Sequence, residues 1–264
     1  MHRALFPGNE FLTVKIAKKR ADELLADSGL ARSRSQAQAL IMAGEVSCAD
    51  KPVKKAGELW PEDSVFTLSP RRRFVSRGGF KLEGALEDLA IAVKDLTALD
   101  IGASTGGFTD CLLQHGASKV TAVDVGKNLI DERLRADERV EILEEINARK
   151  LTESLSEAIF DLVVIDVSFI SLELILPQAA RLVKADGKIL AMVKPQFEVG
   201  REKVGKKGVV RDPEIIREAV DKISALGPLL SPPFVEAGRA LSRLKGPEGN
   251  QEVFLLFVPA CFPS

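Results

Sequence analysis

The stretch LDIGASTGGFTDCLL, residues 99–113, limits what this chain can fold into more than any other. It reads as a buried strand, a glycine loop and a helix in immediate succession. An apolar run reaches Asp100 and Ile101, residues 102–107 form a tight turn, and Phe108, Cys111 and Leu112 follow at helical spacing. Gly102, Gly106 and Gly107 permit positive φ or a close approach of backbone to ligand, which a side chain would forbid. Several N–H groups are left facing outward at a helix N-terminus, a receptor for a carboxylate or phosphate. The spacing is not the dinucleotide G-x-G-x-x-G, because Ser104 stands where the second glycine admits a pyrophosphate. A smaller anionic group fits better, such as the carboxylate of S-adenosylmethionine, and a nicotinamide enzyme is disfavoured.

Strands and helices alternate from this point on. Strands are expected at 97–101, 119–124, 139–143, 160–166 and 188–193, with helical stretches between them, for example 172–183. Alternation of this kind predicts a parallel, doubly wound sheet with helices on both faces. Residues 233–238 and 252–258 read as two further strands, a pair at one edge. The fold class expected is therefore α/β and Rossmann-like, with seven strands, mostly parallel, the last one antiparallel as in methyltransferases. At 264 residues there is room for a second, small α+β domain in front.

Charge divides the chain at about the same place. Residues 1–80 carry 14 Lys and Arg against 9 Asp and Glu, a balance of +5; the remainder carries 23 against 29, a balance of −6. A basic front on an acidic body suggests a polyanion partner. Cys48, Cys111 and Cys261 are scattered with no C-x-x-C pair, which argues against disulfides and zinc and for a reducing cytoplasm. No run approaches the roughly 18 apolar residues of a membrane span, and MHRALFPGNEFL lacks the apolar core of a signal peptide. A cytoplasmic protein, a monomer or weak dimer, is expected.

The front reads as an arm over 1–19 that ends in basic residues, with Arg20 following, then a compact unit over 20–70. Ala21, Leu24 and Leu25 give one helix face, which Ser28-Gly29 ends. Ser33 and Gln36 form a capping box for a second helix, with Ala37, Leu40 and Ile41 on its buried side and Gly44 as its terminal cap. Short strands follow near 45–48 and 64–68, with a turn at 49–52. The run RADELLADSGLARSRSQAQALIMAGEV resembles the ribosomal-protein S-four-like RNA-binding module. That resemblance implies an RNA face on the second helix and the following turn, presenting Arg32, Arg34, Gln38, Lys51, Lys54 and Lys55. Cations on one face neutralise phosphates and read A-form shape rather than sequence. A charged, glycine-rich linker is expected over 71–79, where Arg71, Arg73 and Arg77 add RNA contacts. A helix over 80–89 follows, with Lys81 near its start, against the usual preference for acids there.

In open α/β sheets ligands sit beyond the carboxyl ends of the strands, and polar residues gather there. Asp100 ends the first strand. Asp124 ends the second, near the spacing at which an acid binds a ribose, and Asn147 follows the third. Asp166 ends the run LVVID and Lys194 ends ILAMVK; charges directly after buried strands are costly unless paired or used. Glu252 opens the last strand. The segment 196–212 is polar, glycine-rich and basic and reads as a mobile loop closing on RNA through Arg201, Lys203, Lys206 and Lys207.

From about Arg77 onward these pieces resemble the FtsJ-like 2′-O-ribose methyltransferases. With the basic unit in front, the whole chain resembles the TlyA (haemolysin A) family. The matching pieces are FKLEGAL, LDIGASTGGFTD, AVDVG, VVIDVSFISL, VKPQFE and GNQE, in that order. The resemblance implies a catalytic Lys-Asp-Lys-Glu tetrad at Lys81, Asp166, Lys194 and Glu252, in a domain over 80–264. It implies S-adenosylmethionine held by Asp100, Gly102, Ser104, Thr105, Gly106, Gly107, Phe108, Asp124, Asn147 and Asp166, and no metal. Its substrate would be cytidine ribose hydroxyls of 16S and/or 23S ribosomal RNA. On chemistry alone, Lys194 held by Asp166 and Glu252 either takes the hydroxyl proton or stays charged and steers the oxygen. A non-catalytic ribosome-assembly factor and a membrane-active haemolysin are the competing readings.

Overall fold

A computed structural model describes residues 17–42, 45–49, 51–68, 73–155 and 159–260. Most of the arm, the Gly44 cap, Asp50 of the turn, Arg71 and Cys261 lie outside the described residues. The chain divides into two units that part between Arg73 and Phe74.

The first unit packs helices Ala21–Asp27 and Arg34–Met42 on small antiparallel sheets. Its core includes Leu24, Leu25, Ala31, Ala37, Ile41, Val46, Val53 and Phe66. Of the helix positions that periodicity picks out, Ala21, Leu24, Leu25, Ala37 and Ile41 are buried in it, while Leu40 is half-buried against it. The first helix ends at Ser28, and Gly29 takes a φ of 76°. At the second helix Ser33 Oγ accepts from Gln36 N–H, while the Gln36 side chain accepts from Arg32 N–H, one residue further out than in a standard capping box. Three strands differ from expectation, and one of them, Leu59–Pro61, is not predicted from the sequence at all. Lys51–Pro52, read as turn, pairs with Val46–Cys48, and Lys18–Arg20, read as the arm's end, pairs with Leu59–Pro61. All three are only two or three residues long, too short to show an alternating apolar pattern.

In the second unit, elements are numbered separately. The strands are β1 (Thr97–Ile101), β2 (Lys119–Val123), β3 (Val140–Leu143), β4 (Phe160–Ile165), β5 (Val183–Val193), β6 (Phe234–Leu241) and β7 (Val253–Pro259). They form one sheet in the order β6-β7-β5-β4-β1-β2-β3, parallel except that β7 runs against both neighbours. This is the seven-stranded arrangement anticipated from the alternation. The central strands are buried on both faces, which is why they read as continuous apolar runs. Helices α1 (Arg77–Asp88) and α2 (Gly107–Gln114) cover one face with Leu82, Leu86, Phe108 and Leu112. Two short helices flank β3: α3 (Glu132–Arg135) lies between β2 and β3, and α4 (Leu151–Ser154) between β3 and β4. Helices α5 (Leu176–Leu182), α6 (Pro195–Glu198) and α7 (Pro213–Ser224) complete the unit, with Leu176, Val220 and Ile223 in the core of the other face.

The segment 71–79 is not wholly a linker. Phe74 is fully buried, its ring edge-on to Phe80 at 5.0 Å, and Ser76 caps α1, which starts at Arg77 instead of Phe80. Gly78 and Gly79 suggest a hinge in the sequence, but they are there for contact. A Cβ on Gly79 would stand 2.3 Å from the Phe74 ring.

Candidate active site

Sheet register explains how residues far apart in sequence meet. Asp166 N–H donates to the Ile101 carbonyl and Gly102 N–H to that of Val123, each at 2.9 Å, so the ends of β2, β1 and β4 are level. Lys194 leaves β5 at the same edge. Because β7 is antiparallel and Val253 lies opposite Val193, Glu252 enters β7 where Lys194 leaves β5. Lys81 arrives from the second turn of α1.

The four charges form two ion pairs. Lys194 Nζ stands 2.6 Å from Asp166 Oδ1 and donates to Ser168 Oγ at 2.8 Å. Lys81 Nζ donates to Glu252 Oε2 at 2.5 Å. Lys81 and Lys194 are each 8 % exposed and Glu252 is 1 % exposed. The expectation that both acids hold Lys194 is therefore corrected: Glu252 pairs with Lys81, and the other partner of Lys194 is a hydroxyl. Pairing each lysine with one carboxylate leaves no uncompensated charge in a nearly dry site.

Two cavities flank these pairs. One, of about 540 Å³, is lined by Gly102, Ser104, Asp124, Asn147, Asp166 and Phe169, among others. The other, of about 690 Å³, is lined by Lys194, Gln196, Phe197, Arg201, Lys207 and Glu252, among others. Ser168 and Phe169 belong to both walls. Phe169 has a backbone φ of 64°, is 89 % exposed and packs on Phe197 with ring centroids 5.1 Å apart. Left-handed backbone at a bulky residue is uncommon and clusters at functional sites.

The residues expected at the cofactor separate into two groups. Gly102, Ser104, Asp124, Asn147 and Asp166 line the smaller cavity. Asp124 accepts from Ser104 N–H at 2.8 Å and from Gly126 N–H at 2.7 Å, tying the glycine loop to the end of β2. Gly102 has a φ of 88°, and a Cβ there would stand 2.5 Å from the Asp166 carbonyl. The others do not line it. Asp100 is fully buried beneath the loop and accepts from Thr109 Oγ1 at 2.7 Å. Phe108 is core, packed on Phe254. Gly106 and Gly107 make room for protein: a Cβ would stand 2.2 Å from Leu134 in the first case and 2.2 Å from Ser76 Oγ in the second. Thr105 is exposed outside the cavity, its carbonyl accepting from Asp131 N–H. The loop's glycines thus serve packing as much as ligand approach.

Three polar contacts escaped the sequence reading. Ser168 is one. Glu198, buried in α6, accepts from Ser171 Oγ at 2.5 Å and from Leu172 N–H at 2.9 Å, joining the loop after β4 to the helix after β5. Burial pushes its carboxyl up, and those two donors partly offset that. Asn250, 1 % exposed, accepts from Val210 N–H at 2.9 Å and donates to the Gly208 carbonyl at 2.8 Å. It pins the basic segment to the hairpin that carries Glu252. In that segment Arg201 and Lys207 line the larger cavity, Lys203 is paired with Glu218 at 2.5 Å, and Lys206 is exposed away from it. Motif matches such as VKPQFE and GNQE contained Glu198 and Asn250, but only the fold shows what they join.

In the first unit Arg32, Arg34, Lys51, Lys54 and Lys55 are exposed and Arg20 is partly exposed, with Arg20 and Arg34 both reaching Asp22. Arg73, which ends the first unit, and Arg77, which opens α1 of the second, are exposed; Arg77 donates to the Lys245 carbonyl at 3.2 Å.

A doubly wound sheet with an antiparallel seventh strand, and a lysine–carboxylate cluster between two strand-end cavities, defines a Rossmann-like methyltransferase. The FtsJ-like methyltransferase family matches residues 74–258 and the S4 domain residues 19–59, so the chain belongs to the FtsJ-like methyltransferase family, with an S4 domain in front. It is 44 % identical over 240 residues to the 16S/23S rRNA (cytidine-2′-O)-methyltransferase TlyA of Mycobacterium tuberculosis, covering 90 % of this chain and 89 % of that one. It is 40 % identical to Hemolysin A of Brachyspira hyodysenteriae, covering 90 % and 99 %. A solved structure of a candidate hemolysin from Streptococcus thermophilus is 38 % identical, covers 94 % of this chain and 90 % of that one, and superposes with a TM-score of 0.68. No helix among the described residues is long and apolar enough to cross a membrane.

Proposed function

We propose that this chain transfers a methyl group from S-adenosylmethionine to the 2′-hydroxyl of cytidine in 16S and/or 23S ribosomal RNA, in the cytoplasm. The observation that carries the reading is the Lys194–Asp166 pair standing between the two cavities. The named activity of the mycobacterial relative supplies the nucleotide and the RNA. The residues of the smaller cavity fit the cofactor: Gly102 lets the backbone approach closely, and Asp124, Asn147 and Asp166 suit hydroxyls and positive charge. When bound, S-adenosylmethionine supplies a methyl already activated on a sulfonium.

The chain's part is then to place a weak nucleophile and manage its proton. A lysine ammonium has three hydrogens; Lys194 gives one to Ser168 Oγ with Asp166 Oδ1 beside it as counter-ion, which leaves a donor for a ribose oxygen. So placed, Lys194 donates: it orients the 2′-oxygen and stabilises the negative charge that grows on it as the O–methyl bond forms, the hydroxyl proton passing to solvent water and the sulfonium becoming a neutral thioether. Glu252 keeps Lys81 beside the same wall, where its charge adds to that field. Arg201 and Lys207 meet backbone phosphate, and the exposed Phe169 ring offers a stacking face to a base. The four-residue set Lys81, Asp166, Lys194 and Glu252 acts as one unit in this reading. Residues 20–70 capture RNA with Arg20, Arg32, Arg34, Lys51, Lys54 and Lys55; the linker arginines Arg71, Arg73 and Arg77 extend that contact, and the protein works as a monomer or weak dimer.

Methyl transfer from labelled S-adenosylmethionine to unmodified ribosomal RNA and intact subunits tests this. Label on a cytidine ribose is expected, with Lys194→Ala slowing transfer at least about 100-fold while cofactor binding persists. Lys194→Arg is expected to keep a measurable fraction of the rate, since an arginine stays charged and cannot act as a base. An arginine variant as inactive as the alanine variant would move the base role back to Lys194. No label on any RNA from a folded, cofactor-binding protein would overturn the function.

A further inference from the structure

The first unit contains a carboxylate whose placement stability alone does not explain. Asp22, in the first turn of helix Ala21–Asp27, has no exposed surface, yet three polar side chains from two other places in the chain converge on it. Arg20 Nε donates to Oδ1 and Arg20 Nη2 to Oδ2, each at 2.9 Å. Gln38 Nε2 donates to Oδ2 at 2.8 Å, and Arg34 Nη2 lies 3.4 Å from the same oxygen. Arg34 Nη1 also pairs with Glu23 at 3.1 Å. Room for this cluster is provided by a glycine: a Cβ on Gly57 would stand 2.9 Å from Arg20 Nη1. The acid is buried, but the cations are not. The Arg20 and Arg34 side chains keep 41 % and 52 % of their exposure.

Burying a carboxylate in so small a core is costly, and apolar replacements of such clusters are often neutral or stabilising. What the cluster does achieve is geometric. A guanidinium is a rigid fork of five donors. Arg20 gives one edge of its fork to Asp22 and keeps Nη1 free of that contact, so the guanidinium is held in one orientation at the surface. Resting on the reading of this unit as the RNA-binding part, we propose that Asp22 is a positioning residue: its buried carboxylate fixes Arg20 and Arg34 as a preformed receptor for the backbone phosphates of structured RNA.

The consequence runs against simple charge counting. Removing a negative charge from a face that binds a polyanion ordinarily strengthens binding. Here Asp22→Asn presents an amide N–H to donors, releases the two guanidiniums and weakens binding, because the ordering that was built in must then be supplied on contact. The experiment measures the affinity of the full-length protein for unmodified ribosomal RNA and for a labelled RNA duplex over a salt series, with melting temperature recorded beside it. Asp22→Asn is expected to bind about tenfold more weakly. Arg20→Lys, which keeps the charge and loses the fork, is expected to weaken binding similarly while leaving the melting temperature and the salt slope near wild type. Gln38→Ala is expected to give a smaller loss. Asp22→Asn binding as tightly as wild type, or more tightly, overturns the proposal. Should that variant fail to fold, wild-type affinity in both Arg20→Lys and Gln38→Ala overturns it. An Arg20→Ala/Arg34→Ala double variant separates the two levels. If it binds like wild type, the RNA reading of this face falls and the proposal with it. If it binds weakly while Asp22→Asn does not, only the proposal falls.

Discussion

Asp100 shows what a single buried proton does to the molecule. Burial pushes its carboxyl up to about 7; the Thr109 hydrogen bond opposes that rise and the charge of Asp166 adds to it. One of its oxygens, Oδ1, is buried with no hydrogen-bond partner. Between about pH 4 and 7 the folded protein therefore keeps a proton that the unfolded chain has already lost. Stability falls as pH rises through that window and is level above it, by a few kcal/mol in all. Asp100→Asn, which is neutral throughout, is expected to remove that slope and to melt higher than wild type at pH 8, as thermal unfolding across pH 5–8 would show. Sequence alone does not reveal this role. In a strand buried on both faces, polarity at a strand end cannot tell a ligand contact from a residue tucked beneath the loop. Phe108 is similar: its place after the glycines suits a ligand, but its ring completes the core. For Asp166 and Lys194 the cost of a charge after an apolar run was legible, and for Asp124 the spacing at which an acid binds a ribose; all three stand at the cavity walls.

Elements obey the same division between pattern and partner. The strand–glycine loop–helix unit and the alternation after it were readable because period and length differ between strands and helices. Where helix α1 begins was not, since Gly78 and Gly79 look like a hinge until Phe74 and α2 are packed against them. Nor was the pairing inside the tetrad: four residue types were legible, but the antiparallel seventh strand and the approach of α1 decide who meets whom. The basic segment after α6 shows why a loop needs an anchor. Its order comes from Asn250, whose amide satisfies one carbonyl and one N–H of the segment at once. Asn250→Ala is expected to destabilise the fold by about 1–3 kcal/mol and to raise KM for RNA several-fold. Its kcat should stay within about twofold, because Lys194 and Asp166 are held elsewhere. Steady-state kinetics with ribosomal RNA as the varied substrate would check it; a fall in kcat with KM unchanged would place Asn250 in the chemistry instead.

At the scale of the molecule, the charge division between front and body follows the two units, and the sequence carried it openly. The two cavities were not legible at all. They depend on Phe169 turning left-handed after β4, so that one exposed ring and the neighbouring Ser168 form a partition with a chamber on either side. A shared partition has a kinetic meaning. Each chamber can fill and empty while its neighbour stays occupied, so neither partner of the reaction has to depart before the other arrives. Turnover on such a frame proceeds through a ternary complex, and double-reciprocal plots for the two substrates should intersect instead of running parallel. Spent cofactor can likewise be exchanged while the RNA remains seated, so one visit to the RNA need not end with one methyl transferred.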